Sequence, residues 1–281
     1  MCIGIIFMLL VNVVFAQETI KWVISIEPPI TYQIGDDFAG YGIEIMEMIQ
    51  SRMDDYQHQI VVAGNYKRLV SEVERGPLTC ALGLFKTEDR LNRMYFSKVP
   101  VFYFFNMQIV LRKSLFDQLQ QPESLSLRDM LSNTDKKMGL SKGRVYSKEI
   151  TSILKDFEES DNIFSGSQSN VSESLINMLV AERIDYIILY PEEATYLSRK
   201  LGIEDQVVTV PIQEAEDFGY TWAVCTKNET GKLVMDTIND ILVHIRKENE
   251  YRKQYEAWLS RNLIDHYRAN YQENFLKIIE E

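Results

Sequence analysis

Cysteine and histidine are scarce in this 281-residue chain, at three each. Three cysteines are too few for a disulfide scaffold, and no C-x-x-C pair or His-rich cluster points to zinc. His58, His244 and His266 are scattered without triad or metal spacing, and no P-loop, G-x-S-x-G or H-E-x-x-H motif is present. Basic residues are outnumbered: 30 Lys and Arg against 41 Asp and Glu leave a formal net charge of −11. A phosphate backbone needs a basic face, so the balance argues against nucleic acid as a partner. Long apolar runs are also missing. The apolar stretch Ile3–Phe15 is broken only by Gly4 and Asn12, and it falls short of the ~20 residues that span a bilayer. It ends Val14-Phe15-Ala16-Gln17, with small residues where signal peptidase needs them. Residues 1–16 therefore read as a secretory signal peptide, and export places the chain in a periplasmic, disulfide-permissive compartment.

What remains is a globular composition. At 46% hydrophobic and 25% charged, the chain has enough apolar content for a sizeable core, and its length suggests two domains. Lys21–Ile26 reads as a buried strand stopped by Glu27-Pro28-Pro29. Gly40-Tyr41-Gly42 opens a helical pattern through Ile43, Met46, Ile49 and Met53. Strand Gln59–Ala63, helix Tyr66–Arg75 and strand Thr79–Phe85 follow. This β-α-β-α-β order argues for a parallel sheet covered by helices. A second run of the same order extends from Lys137–Leu140 to Asp185–Tyr190, followed by the helix Glu192–Leu201. The strand-like runs Gln108–Arg112 and Val207–Ile212 flank that second unit, and Gly219–Thr226 reads as a further strand. Sending the chain back to the first unit after Val207–Ile212 gives two α/β lobes joined by a two-strand hinge. The expected division is 1–16 signal peptide, 17–107 with 213–263 as lobe 1, 108–112 with 207–212 as hinge strands, and 113–206 as lobe 2. A helical extension occupies 264–281.

Lys86-Thr87-Glu88-Asp89-Arg90, followed by Phe96-Ser97-x-x-Pro100-Val101, resembles the T-x-x-R and F-S-x-P-Y steps of type II periplasmic binding proteins. In that fold they belong to the extracellular solute-binding proteins, family 3, that serve amino-acid ABC importers. Gly40-Tyr41-Gly42-Ile43-Glu44-Ile45, Arg183-Ile184-Asp185-Tyr186 and Tyr251-x-x-x-Tyr255-x-x-Trp258-Leu259 resemble further segments of the family in the correct order. The resemblance implies a monomeric Venus-flytrap receptor without cofactor or catalytic residues. It would take a small anionic or zwitterionic ligand, an amino acid or related carboxylate, and hand it to an ABC permease. A membrane sensor as partner, and a dehydratase-like enzyme on the same scaffold, are the alternatives.

Arg90 is the leading ligand contact. The resemblance gives it the clamp on the ligand carboxylate, and its guanidinium offers two parallel N–H donors for that task. Thr87 caps the same helix and stands within reach of a ligand. Phe85 and Gly83 stand where amino-acid binders often have serine, so an aromatic wall replaces hydroxyl donors. Ser141 and Tyr146 bracket a Gly/Ser loop that the family uses on the other side of the carboxylate, with Arg144 read as solvated. Tyr190 stands where amino-acid binders carry the aspartate for the α-ammonium, a departure that puts a free α-amino acid in doubt. Glu192 beside it has two readings, reaching into the site or capping the helix, and the cap is preferred. Glu27, at the end of the first strand, and Tyr66, at a later strand end, complete the set. Tyr32, Tyr103 and Arg68 are secondary candidates. Cys80 and Cys225 lie on strands that neighbour each other in the family. A disulfide is open to them, with buried free thiols as the default reading.

Overall fold

The computed structural model describes residues 17–167 and 170–278; the expected signal peptide lies outside the described residues. In chain order the first half comprises β1 (Thr19–Ile24), the hairpin β2 (Tyr32–Ile34) and β3 (Asp37–Ala39), α1 (Tyr41–Gln50), β4 (Gln57–Val62), α2 (Tyr66–Arg75), β5 (Thr79–Leu84), α3 (Glu88–Arg93), β6 (Met94–Phe96) and β7 (Phe102–Phe105). The middle comprises β8 (Gln108–Arg112), α4 (Lys113–Gln118), α5 (Leu127–Ser132), β9 (Met138–Ser141), α6 (Lys148–Asp156), β10 (Ile163–Gly166), α7 (Val171–Val180), β11 (Tyr186–Leu189), α8 (Pro191–Leu201) and β12 (Val207–Val210). The chain then forms β13 (Phe218–Thr226), α9 (Glu229–Ile245), α10 (Asn249–Glu256), α11 (Arg261–Glu273) and a 3₁₀ turn at Phe275–Lys277.

Two sheets organise these elements. The first runs β4-β1-β5-β13-β6, with β7 also paired to β13; the second runs β10-β9-β11-β8-β12. Each β-α-β-α-β unit read from the sequence is a parallel trio with its first strand in the middle, β4-β1-β5 and β10-β9-β11. The return to the first sheet is also present, because β13 pairs antiparallel with β5, β6 and β7.

The expected hinge strands lie inside a sheet: Gln108–Arg112 and Val207–Val210 pair antiparallel with each other in the second sheet. Their apolar side chains explain this: Ile109, Val110 and Leu111 are fully buried and pack into cores on both faces of that sheet. The chain crosses between the sheets at Asn106–Met107 and again between Ile212 and Phe218.

The end of the chain also differs. The motif Tyr251-x-x-x-Tyr255-x-x-Trp258-Leu259 covers α10 and the turn after it, and α11 begins at Arg261 rather than 264. This segment is no appendage. Tyr267, Tyr271 and Phe275 are each at most 2% exposed and belong to the largest core cluster, with Tyr103, Phe105 and Tyr255.

Cys80 and Cys225 form a disulfide, which corrects the default of free thiols. They lie directly opposite each other on β5 and β13, a register that a sequence separation of 145 does not fix. The bond cross-links two strands at the centre of the first sheet. Reducing it should destabilise the protein by about 2–4 kcal/mol and lower the melting temperature by roughly 5–15 °C. Calorimetry with and without reductant checks this, and an unchanged melting point after proven thiol exposure would contradict it.

Candidate ligand-binding site

The first sheet builds one wall of a cavity at the carboxyl ends of its strands. β1 contributes Val23 and Ile24, β5 contributes Leu82 and Gly83, and the loops beyond them contribute Glu27 and Phe85. The loop after β1 is held against α1 by the Gly-Tyr-Gly step. Tyr41 N–H donates to Pro29 O at 3.2 Å and Gly42 N–H to Ile30 O at 2.9 Å. Gly40 has φ 119°, and a Cβ there would lie 2.5 Å from two loop carbonyl oxygens, so only glycine permits this approach. At Gly83, φ 90°, a Cβ would meet the Phe102 ring at 3.1 Å, so the missing side chain makes room for an aromatic one.

Strand periodicity supplies the aromatic walls. In β7, Phe102 and Phe104 line the cavity, whereas Tyr103 and Phe105 turn to the other face and stack on Phe218 at 4.9 and 4.5 Å. Phe104 meets Phe85 and Tyr190 edge-on at 6.4 and 5.9 Å, and Phe102 meets Tyr41 edge-on at 5.6 Å. These are favourable ring geometries that hold the walls in place.

The opposite side comes from α8, which follows the second sheet's β11. Tyr190 is the N-cap of α8 and Glu192 lies in its first turn; both line the cavity. Glu192 is only 4% exposed. Its Oε2 accepts a hydrogen bond from the Tyr255 hydroxyl at 2.9 Å, and that hydroxyl accepts from the Phe105 N–H at 3.0 Å. Burial pushes the Glu192 carboxyl up to about 8 and the Tyr190 phenol up to about 12. Glu27, by contrast, is exposed at the rim and accepts from Ser25 Oγ at 2.7 Å.

The expected ligand contacts divide. Glu27, Tyr66, Phe85 and Tyr190 line the cavity. Thr87 accepts from the Arg90 N–H at 3.3 Å as the N-cap of α3. Arg90 stands beside the wall: its Nη1 donates to the Phe85 carbonyl at 2.9 Å and the Tyr66 hydroxyl at 3.2 Å, with the guanidinium 5.4 Å from the Tyr66 ring centre. Neither Thr87 nor Arg90 is a lining residue. Ser141 and Tyr146 also lie outside the lining and bond to each other, the Tyr146 hydroxyl donating to Ser141 O at 3.4 Å. Arg144 is not solvated as expected: it makes two 2.7 Å bonds to Glu193 and a third, at 3.3 Å, to Ser172 Oγ. Arg68 is exposed beside Glu72, Tyr32 packs on Tyr196 and Trp258, and Tyr103 is buried away from the cavity.

Sequence reading missed Tyr41, Phe102 and Phe104, and it preferred a helix cap for Glu192 over a place in the cavity. The alternation within Phe102–Phe105 carries the signal for the two phenylalanines. For Glu192 the sequence does not separate the two readings, because an acid in a helix's first turn is also satisfied by the helix itself.

Among the described residues, no group of His, Cys, Asp and Glu is disposed to hold a metal, and no helix is long and apolar enough to cross a membrane. A search of curated protein sequences found no match. Solved structures share the fold at low identity. An ancestral cationic amino acid solute-binding protein matches with TM-score 0.66 and 16% identity, covering 87% of this chain and 96% of that one. A histidine kinase sensor domain similar to periplasmic binding proteins matches with TM-score 0.57 and 16% identity, covering 87% and 96%. A structure described under glutathione import via GshT and the cystine ABC importer TcyBC of Streptococcus mutans matches with TM-score 0.60 and 14% identity, covering 86% and 95%. The profile of one family spans residues 20–261, most of the chain. With the two-sheet fold and the cleft between the sheets, that match is decisive: the chain belongs to the bacterial extracellular solute-binding proteins, family 3.

Proposed function

We propose that the protein is an extracytoplasmic receptor that takes a small amino-acid-like solute from the periplasm and delivers it to an ABC importer. One observation carries this reading: a single aromatic cavity is walled by the first sheet and closed by Tyr190 and Glu192 from the second. A ligand filling such a cavity touches both halves of the molecule and so favours their closed arrangement. The moving lobes would be 17–105 with 218–278, and 108–212, turning about the two crossings. The helix α8 already meets the first lobe outside the cavity, where Arg199 donates to Ala257 O at 2.6 Å and lies over Trp258. In this reading Arg90 meets the ligand carboxylate at the rim, beyond Tyr66.

A thermal-shift screen of amino acids, their amines and small carboxylates tests the proposal. A ligand at 100 times its Kd should stabilise the protein by about 2.7 kcal/mol. Small-angle scattering should then show compaction on binding, and an unchanged radius with proven binding would overturn lobe closure. Recovery of a chemically altered ligand would overturn the receptor reading in favour of an enzyme.

A further inference from the structure

The charge of the cavity runs against the expectation of an anionic ligand. Two carboxyl side chains, Glu27 and Glu192, line it, and among the described residues no Lys, Arg or His does. Arg90, itself outside the lining, commits Nη1 to Tyr66 and Phe85, and Arg144 is paired with Glu193. An anion inside would find no cationic partner in the lining, in apolar surroundings where an unpaired charge is costly. The walls carry aromatic rings instead, and a ring face attracts a cation.

We propose that this cavity selects its ligand by a positively charged nitrogen: the occupant is an organic cation with an apolar or aromatic body, held between Glu27 and Glu192 and boxed by Tyr41, Phe102, Phe104 and Tyr190. The proposal rests on the receptor reading and names the ligand class for it. A carboxylate on the ligand is an optional second handle at the rim, not the group that admits it.

The state of Glu192 gives the proposal a signature. The groups facing it are Tyr255 from α10, Tyr41 from α1, Tyr190 and Glu193 from its own helix, and Arg144 from the loop after β9. Glu27 acts on Tyr41 and Tyr190 from the rim. In the empty cavity, burial keeps Glu192 protonated up to about pH 8. A cation binds the ionised form better, so its binding releases a proton and tightens as pH rises. The limiting slope is about tenfold in affinity per pH unit below the Glu192 pKa, for one proton released. An anion would instead accept a hydrogen bond from protonated Glu192, and its binding would weaken as pH rises. The sign of the pH dependence therefore separates the two chemistries.

Phenethylammonium, phenylalanine and 3-phenylpropionate share one aromatic body and differ only in charge, which makes them suitable probes. Titration calorimetry between pH 6 and 8 should show phenethylammonium and phenylalanine binding more tightly at pH 8, with proton release, and 3-phenylpropionate not binding. Glu192→Gln should abolish the pH dependence and weaken phenethylammonium roughly thirty-fold at pH 8. Glu27→Gln, at an exposed position that does not threaten folding, should weaken it by a smaller factor. Binding of 3-phenylpropionate without phenethylammonium, or affinity that falls with pH, would overturn the cation proposal and leave the receptor reading intact. If no probe binds at millimolar concentration the cation proposal also falls, while the broader solute screen decides the receptor reading separately.

Discussion

A chain ending at Ser260 should not accumulate as a stable folded protein. The missing segment holds Tyr267, Tyr271 and Phe275, all buried, and it covers Tyr103, Phe105 and Phe218 of the first lobe. Burying one such side chain stabilises by about 1.5–3 kcal/mol, so the three together contribute about 5–9 kcal/mol. That is comparable to the whole stability of a typical domain, about 5–15 kcal/mol. Specific bonds go with them. Tyr267 donates to Tyr103 O at 3.0 Å, Tyr271 donates to Arg246 O at 2.6 Å, and Arg246 bonds the Phe275 carbonyl with its guanidinium 4.1 Å from that ring. Arg246 is only 3% exposed, and burial depresses its pKa, so the aromatic lid is part of its setting. The gentler Phe275→Ala should cost about 3–5 kcal/mol. Urea unfolding of both variants measures this, and a truncated protein with the full-length midpoint would show that the segment is dispensable.

Arg90→Ala should weaken a carboxylate-bearing ligand by roughly thirty-fold or more while leaving the fold intact. Removing one partner of a desolvated charge pair costs about 2–5 kcal/mol, and each 1.4 kcal/mol is about tenfold. Arg90 also fixes the wall through Tyr66 and Phe85, so some loss extends to every ligand. The two roles separate in a matched pair. The amino acid should lose more than the amine that lacks its carboxylate, and Arg90→Lys should not fully rescue it, because an ammonium lacks the planar fork. Equal losses for both compounds would leave Arg90 a wall-positioning residue only. Near-unchanged affinity for both would show that the arginine is not used.

How much of this was legible in the residues follows from the range of the forces involved. The two β-α-β-α-β units, the Gly40-Tyr41-Gly42 step and the Thr87 cap are set by neighbours within a few positions, and period-2 and period-3.6 patterns expose them. The placing of Glu27, Tyr66, Phe85 and Tyr190 around one cavity was legible because strand ends converge in any parallel sheet of this kind. Glu192 was not, since its meaning depends on Tyr255, 63 positions away. Gln108–Arg112 carried a strand signal but nothing to say which strands would flank it.

The sequence by itself therefore determined the two β-α-β-α-β units, the family and the strand ends that edge the cavity, because local periodicity and short motifs are written in adjacent residues. Only the tertiary structure decided the partner of each long-range group. It joined Cys80 to Cys225, turned Arg144 onto Glu193, buried the last helix under Tyr103 and Phe105, and placed a carboxyl group inside an aromatic cavity. Each of these depends on which surfaces lose water together, and burial of that kind is a property of the packed molecule rather than of any segment.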